Sequence, residues 1–227
     1  MNNYELNNIL KDVWHQVHGF YNDERINSER CLQAILYHLL SLALYEKNKN
    51  DIVIHVEPNL HTKAIEKFAH IENCIPDLLI SNNKNNKEKS IIAIFEIKFT
   101  NQWNLSTNHL NRDIGKLIDY SEMKGTRIEL DTFGPNRRFD EEEKKWQKFD
   151  KYSESYIDGR DKYKIAEDCL FCFAVISNKF DKAVQPEHLK GLIPDINFCH
   201  MYGALDINER ASFFGIKNMP GMQKRKK

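Results

Sequence analysis

Net charge is the first thing this chain of 227 residues lacks: 33 Lys and Arg are balanced by 33 Asp and Glu. No global electrostatic field marks it as a nucleic-acid binder, so any such surface must be a local patch set against acidic regions elsewhere. A paired cysteine set is missing too. Cys31, Cys74, Cys169, Cys172 and Cys199 are odd in number and scattered through apolar segments, which argues against a disulfide framework. Neither a charged-then-apolar leader nor an apolar run long enough to span a bilayer is found. A reduced, cytoplasmic protein without membrane contact is the expectation. Compact metal-ligand spacings are absent as well: His55, His61 and His70 fit none, and Cys169-x-x-Cys172 has no second pair to close a zinc site. No internal repeat appears, and the low-complexity sequence is confined to the Asn/Lys-rich segment between Ser81 and Ser90.

What is present is enough apolar residue, 41% against 29% charged, for one sizeable core with insertions. A single domain over residues 1–227 is expected. Its organising stretch is Ile75 to Phe99. Ile75-Pro76-Asp77-Leu78-Leu79-Ile80 and Ile91-Ile92-Ala93-Ile94-Phe95-Glu96-Ile97-Lys98-Phe99 are apolar runs of strand length around a polar turn, so they should pair antiparallel. Period-two alternation puts Ile92, Ile94, Glu96 and Lys98 on one face and Ile91, Ala93, Phe95, Ile97 and Phe99 on the other. A strand apolar on both faces that ends in a carboxylate and an ammonium carries charge to where burial is costly without a partner. Asp77 lies opposite that end in a hairpin, so the three groups converge. The plainer alternative is a half-exposed Glu96–Lys98 pair at a sheet edge, with Asp77 capping a turn.

Pro76-Asp77, followed after a hairpin by Glu96-Ile97-Lys98 at the end of an apolar strand, resembles the PD-(D/E)xK motif of the restriction-endonuclease-like nuclease superfamily. The resemblance covers residues 28–177, in order though not continuously. It implies an α/β fold with a central mixed sheet of four or more strands flanked by helices, in the order α-β-β-β-α-β. It also implies a metal-dependent nuclease acting on DNA, or as second choice RNA, of restriction or defence type. In that reading Asp77 and Glu96 hold Mg²⁺, or Mn²⁺ as a substitute, with the Ile97 carbonyl, and Lys98 stands beside the attacking water. Glu29, early in the first core helix, completes the metal site. The same glutamate read without the family complements a helix dipole behind an Asn27 or Ser28 cap. Gln33, one turn on from Glu29, is a candidate substrate-binding residue. Lys116 and Tyr120 have the spacing of a Gln…Tyr pair found in some branches of the family, with lysine in place of glutamine. The ordinary reading is that Lys116 pairs with Asp113 or is simply solvated. A homodimer is compatible with all of this. So are two other classes, a nuclease-like fold that binds nucleic acid without cutting and a protein-interaction scaffold.

Around that centre the elements follow from periodicity. Leu6, Ile9, Leu10, Val13, Trp14 and Val17 predict a packing helix stopped at Gly19, and Ser28 to Tyr45 predicts a long core helix. Asp51 to Glu57 reads as the first strand, and Asn59 to Asn73 as an excursion helical around Ala64 to Phe68. A polar connector with Trp103 leads to a helix over Ser106 to Lys124, capped at Gly125. Residues 126–168 form an insertion rich in charge and aromatics, for which spacing from Phe139 to Tyr156 predicts an amphipathic helix. Cys169 to Ser177 is the last core strand. Beyond it come a short helix over Asp181 to Gly191, an edge strand within Ile196 to Leu205, an apolar anchor at Ala211 to Ile216, and a basic tail, Lys224 to Lys227, that reads as a disordered end.

Overall fold

The computed structural model describes residues 1–23, 25–61, 75–83, 89–100, 107–131, 137–140, 145–148, 161–177, 197–206 and 211–219. Among these described residues, three helices, α1 (Asn3–Asn22), α2 (Glu29–Glu46) and α3 (Thr107–Glu122), are interleaved with ten strands. These are β1 (Ile52–Val56), β2 (Asn59–His61), β3 (Leu78–Asn82), β4 (Lys89–Thr100), β5 (Arg127–Asp131), β6 (Arg137–Asp140), β7 (Lys145–Lys148), β8 (Asp161–Ser177), β9 (Phe198–Asp206) and β10 (Ala211–Met219). The class is α/β, a mixed sheet flanked by helices. The main sheet runs β1-β3-β4-β8-β5-β2, with β9 and β10 branching from the far half of β8. Strand β4 pairs antiparallel with β3 and parallel with β8, so it lies inside the sheet.

The helices begin where the sequence offers side-chain acceptors. Asn2 caps α1 by accepting the Glu5 N–H, and Ser28 caps α2 by accepting that of Cys31. At the end of α3 the chain turns through Gly125 at φ +77°, a left-handed position that suits glycine. Helix α1 does not stop at Gly19 but runs to Asn22, and the extra turn buries Tyr21 against Phe214 on β10. Packing there outweighs the modest helix cost of one glycine.

Two apolar layers sandwich the sheet. Leu78, Ile80, Ala93, Phe95, Ile97, Cys172 and Ala174 face α1 and α2. Leu79, Ile91, Ile94, Phe171, Phe173 and Val175 face α3. The expected alternation of β4 breaks at Ile92: Ile80 pairs with Ala93 but Ser81 with Ile91, a bulge that leaves Ile92 unpaired. Ile91 therefore joins the α3 face, and Ile92 joins Ala93 on the other. A bulge shifts parity by one residue, which simple alternation cannot register.

The remaining differences lie after α3. An amphipathic helix was expected from Phe139, but Arg137–Asp140 and Lys145–Lys148 pair antiparallel as a hairpin. The aromatic spacing there gave way to strand pairing, and residues 149–160 lie outside the described ones. The last core strand begins at Asp161, not Cys169, because its first half is claimed by β5 and its second by β9. Strand β9 is internal, between β8 and β10, and β10 takes the outer position. Asn59 to His61 forms β2 on β5. The expected helices at Ala64–Phe68 and Asp181–Gly191, the Trp103 connector and the basic tail fall outside the described residues. Among those described, no helix is long and apolar enough to cross a membrane.

Strands β9 and β10 interlock through glycine. Gly203 faces Phe214 and Gly215 faces Tyr202 across the ladder, and a Cβ on Gly203 would stand 2.7 Å from the Phe214 ring. That ring cannot retreat, since His18 stacks on it at 4.6 Å and Trp14 and Tyr21 flank it. Gly203→Ala should therefore destabilise the fold by about 1–3 kcal/mol, the usual cost of overpacking, seen as a lowered melting temperature by circular dichroism. An unchanged melt would mean that the cluster yields.

Candidate functional site

Asp77 sits just before β3, where the chain enters the sheet, and its polar groups are held on several sides. Its N–H donates to the Phe95 carbonyl at 3.1 Å, and its own carbonyl accepts from the Glu57 N–H at 3.1 Å and from Gln33 Nε2 at 2.9 Å. Its Oδ2 accepts from the Ile97 N–H. The hairpin thus presents the carboxylate to the end of β4 as expected, at Ile97, between Glu96 and Lys98. Glu57, at the end of β1, takes φ +45° to make its contact, an uncommon conformation for a residue with a Cβ. Gln33 Nε2 also lies 3.4 Å from Glu57 Oε1. Gln33 was expected to touch substrate, yet its amide is engaged in holding the Asp77 backbone.

Glu96 is 2% exposed and points to the α3 face. Its Oε2 accepts from Lys116 Nζ at 2.9 Å, and its Oε1 is buried with no hydrogen-bond partner among the described residues. Lys98, two residues on, reaches Glu29 Oε2 at 3.3 Å and Asp113 Oδ2 at 3.6 Å. Glu29 also accepts the Phe99 N–H at 3.4 Å, which ties the start of α2 to the end of β4. Asp113 lies 3.9 Å from Lys116, one turn away on α3. The charges form an unbroken chain, Glu29–Lys98–Asp113–Lys116–Glu96, with Asp77 beside it. The edge-pair alternative for Glu96 and Lys98 is excluded by this arrangement: β4 is internal, Glu96 is buried, and its partner is Lys116. The expected pairing of Lys116 with Asp113 is present, at 3.9 Å, but the shorter contact is to Glu96, at 2.9 Å.

The sum is four carboxylates against two ammoniums in a partly dry site. Burial raises Asp77 to about 6, against the opposing pull of the Ile97 hydrogen bond, with Glu29 adding to the rise. Burial raises Glu96 further, to about 8; the Asp77 charge adds to it and Lys116 offsets part of it. Burial alone would lower both lysines, but Asp113 and Glu29 outweigh it at Lys98, and Glu96 and Asp113 outweigh it at Lys116, leaving both raised. Both therefore stay charged at neutral pH and act as cations, not bases.

Sequence reasoning brought Asp77, Glu96, Lys98, Glu29 and Lys116 to one place. Tyr120 is not in that chain of charges but buried in the apolar layer beneath α3. Asp113 was named only as a partner for Lys116, although it joins both lysines. Its spacing of three before Lys116 was the available signal. Glu57 was missed as a site residue, and its only mark in sequence is a carboxylate ending a strand before Pro58. No protein-family model, curated protein or solved structure matches this chain.

A raised carboxyl pKa gives the folded state more bound protons than the unfolded chain between the two pKa values, so stability falls as pH rises through that interval. For Asp77 and Glu96 the interval opens at the ordinary values of 3.8 and 4.5 and closes at about 6 and about 8. In EDTA the melting temperature should be highest near the lower limit and fall toward the upper. Glu96→Gln should flatten the upper part of that fall, each carboxyl being worth on the order of a few kcal/mol. A melting profile that is level across this range, or one unaffected by the substitution, would contradict the assigned burial of charge.

Proposed function

We propose that this protein is a metal-dependent nuclease of the restriction-endonuclease-like type, hydrolysing phosphodiester bonds of DNA, with RNA the second choice. The observation that carries the reading is the convergence of Asp77, Glu96 and Lys98 at the end of one internal strand, with an excess of buried carboxylate around them. Such an excess calls for a cation. Among the described residues no three His, Cys, Asp or Glu side chains form a metal cage. The all-oxygen donor set and Glu96 Oε1, unpartnered among the described residues, fit instead a hard ion such as Mg²⁺, which binds through one or two carboxylates and keeps its own waters.

Asp77 and Glu96 would hold that ion, with the Ile97 carbonyl beside them. When bound it would neutralise phosphate charge and make water a better nucleophile at neutral pH. Asp77 is preorganised for this by Gln33, Glu57 and Ile97, so little ordering remains at the moment of binding. Lys98, held between Glu29 and Asp113, presents a permanent positive charge where negative charge builds on the phosphate as the bond to water forms. Glu29 would act here through Lys98, 3.3 Å from its Oε2, and, as the resemblance implies, would help to hold the ion. The core order α2, β1, β3, β4, α3, β8 is compatible with the nuclease core that the motif resembles.

A nucleic-acid-binding module that does not cut is the second reading, favoured by the direct Lys116–Glu96 contact, which gives that carboxylate a partner without any ion. Incubating the protein with plasmid, linear and single-stranded DNA and with RNA, in Mg²⁺, Mn²⁺ or EDTA, separates the two. Cleavage with metal and none with EDTA is expected; binding without cleavage in every buffer would leave only the module.

Asp77→Asn and Glu96→Gln should each abolish cleavage while preserving the fold, since both keep shape and remove charge. Lys98→Met should lower the rate by about 10²-fold or more, the scale of losing one electrostatic stabiliser, and leave metal binding in place. Glu29→Gln should raise the Mg²⁺ concentration needed for cleavage and cut the rate at saturation by about 10–100-fold. If Glu29 only complements the helix dipole, the Mg²⁺ titration will be unmoved, with at most about 1 kcal/mol of stability lost.

A further inference from the structure

The Lys116 ammonium meets the very carboxylate that a cation would need. Lys116 Nζ lies 2.9 Å from Glu96 Oε2, while Oε1 of the same group is buried and makes no hydrogen bond among the described residues. The glutamate side chain is 3% exposed, so water can do little to screen the pair. Lys116 has a second perch: Asp113 Oδ1 is 3.9 Å away, one turn earlier on the same helix. A flexible four-carbon stem lets the ammonium shift from one carboxylate to the other without returning to water. Lys98 bears the same charge in the same cluster, yet its contacts are Glu29 and Asp113.

We propose that Lys116 is a competitor built into the site, its ammonium and a divalent cation contending for Glu96, so that metal binding requires Lys116 to move toward Asp113. The proposal rests on the nuclease reading for the identity of the ion. An ion on Oε1 would stand within a few ångströms of an ammonium already 2.9 Å from Oε2 of the same group, and with little water to screen them the two positive charges repel, whereas Asp113 can take the displaced ammonium. The exchange keeps the ammonium inside the cluster. It would then face a polyanionic substrate as a mobile point charge while the ion holds Glu96. Lys116 would be a positioning residue for the metal, setting how tightly the ion is taken.

The test is Mn²⁺ titration calorimetry on the full chain without nucleic acid, near neutral pH, comparing wild type, Lys116→Met, Lys116→Gln and Lys98→Met. Removing the competitor should tighten Mn²⁺ binding by about tenfold, the scale of one charge-assisted hydrogen bond. Lys116→Gln, which can still donate a hydrogen bond to Glu96, should fall between wild type and Lys116→Met, and keeps the test open if Lys116→Met fails to fold. Lys98→Met removes equal charge but no contact to Glu96, so its gain should be clearly smaller. Equal gains in the two methionine variants would reduce Lys116 to a general field effect and overturn the proposal, as would weaker binding in Lys116→Met. If wild type binds Mn²⁺ and the Lys116 variants bind it no better, the competition idea alone fails. If no variant binds Mn²⁺, the nuclease reading falls and the proposal with it.

Discussion

Everything at the end of β4 depends on one constraint: Glu96 is a carboxylate in a place that water does not reach, with Asp77 close enough to oppose its ionisation. An isolated buried charge of that kind is too costly to keep, and the surrounding groups answer that cost. Lys116 supplies an ammonium from α3, and Asp113 and Lys98 extend the alternation to Glu29 on α2. The site therefore links both helical layers through a strand that neither layer could neutralise by itself. Replacing it with apolar residues of similar volume would cost little stability on general grounds.

The backbone steers these groups as much as their chemistry does. The bulge at Ile92 turns the last half of β4 by one residue, so Ile91 shares a face with Ile94 and Glu96 arrives under α3, where its lysine waits. Were β4 regular from Ile91 onward, strict alternation would send Glu96 to the α1–α2 face, away from α3. Glu57 contributes in a similar way, since its left-handed φ brings its N–H to the Asp77 carbonyl. Bulges and uncommon backbone conformations are found next to functional sites because they re-aim side chains that regular strands cannot. Here the bulge comes four residues before Glu96, and Glu57 is hydrogen-bonded to the backbone of Asp77.

Local pattern was enough for the elements whose own residues define them. Ser28 caps α2, Gly125 ends α3, and the two apolar runs around the Asn/Lys turn pair antiparallel, because capping, left-handed turns and hairpin closure depend on neighbours in sequence. The meeting of Asp77, Glu96 and Lys98 was legible for the same reason, being a consequence of one hairpin. Glu29 and Lys116 could be proposed only through the family resemblance, and their contacts to Lys98 and Glu96 were not legible. Where pattern failed among the described residues, at Phe139–Asp140 and Lys145–Lys148 and at the start of β8, strand pairing decided.

What the amino-acid sequence determined alone is the α/β alternation, the hairpin, and the two charged residues carried at the end of an apolar strand. All of these arise from periodicity and from contacts a few residues apart. Tertiary structure decided that β4 is internal, that a bulge selects the face of Glu96, that Lys116 prefers Glu96 to Asp113, and that Gln33 holds Asp77. Each of those depends on the distance between groups 20 to 44 residues apart or on the register of neighbouring strands, and a linear pattern carries no information about either. The balance of buried charge is likewise a three-dimensional quantity: 33 positive against 33 negative residues gives a neutral chain, while the packing of α2 and α3 around one strand gathers an acidic excess at a single point.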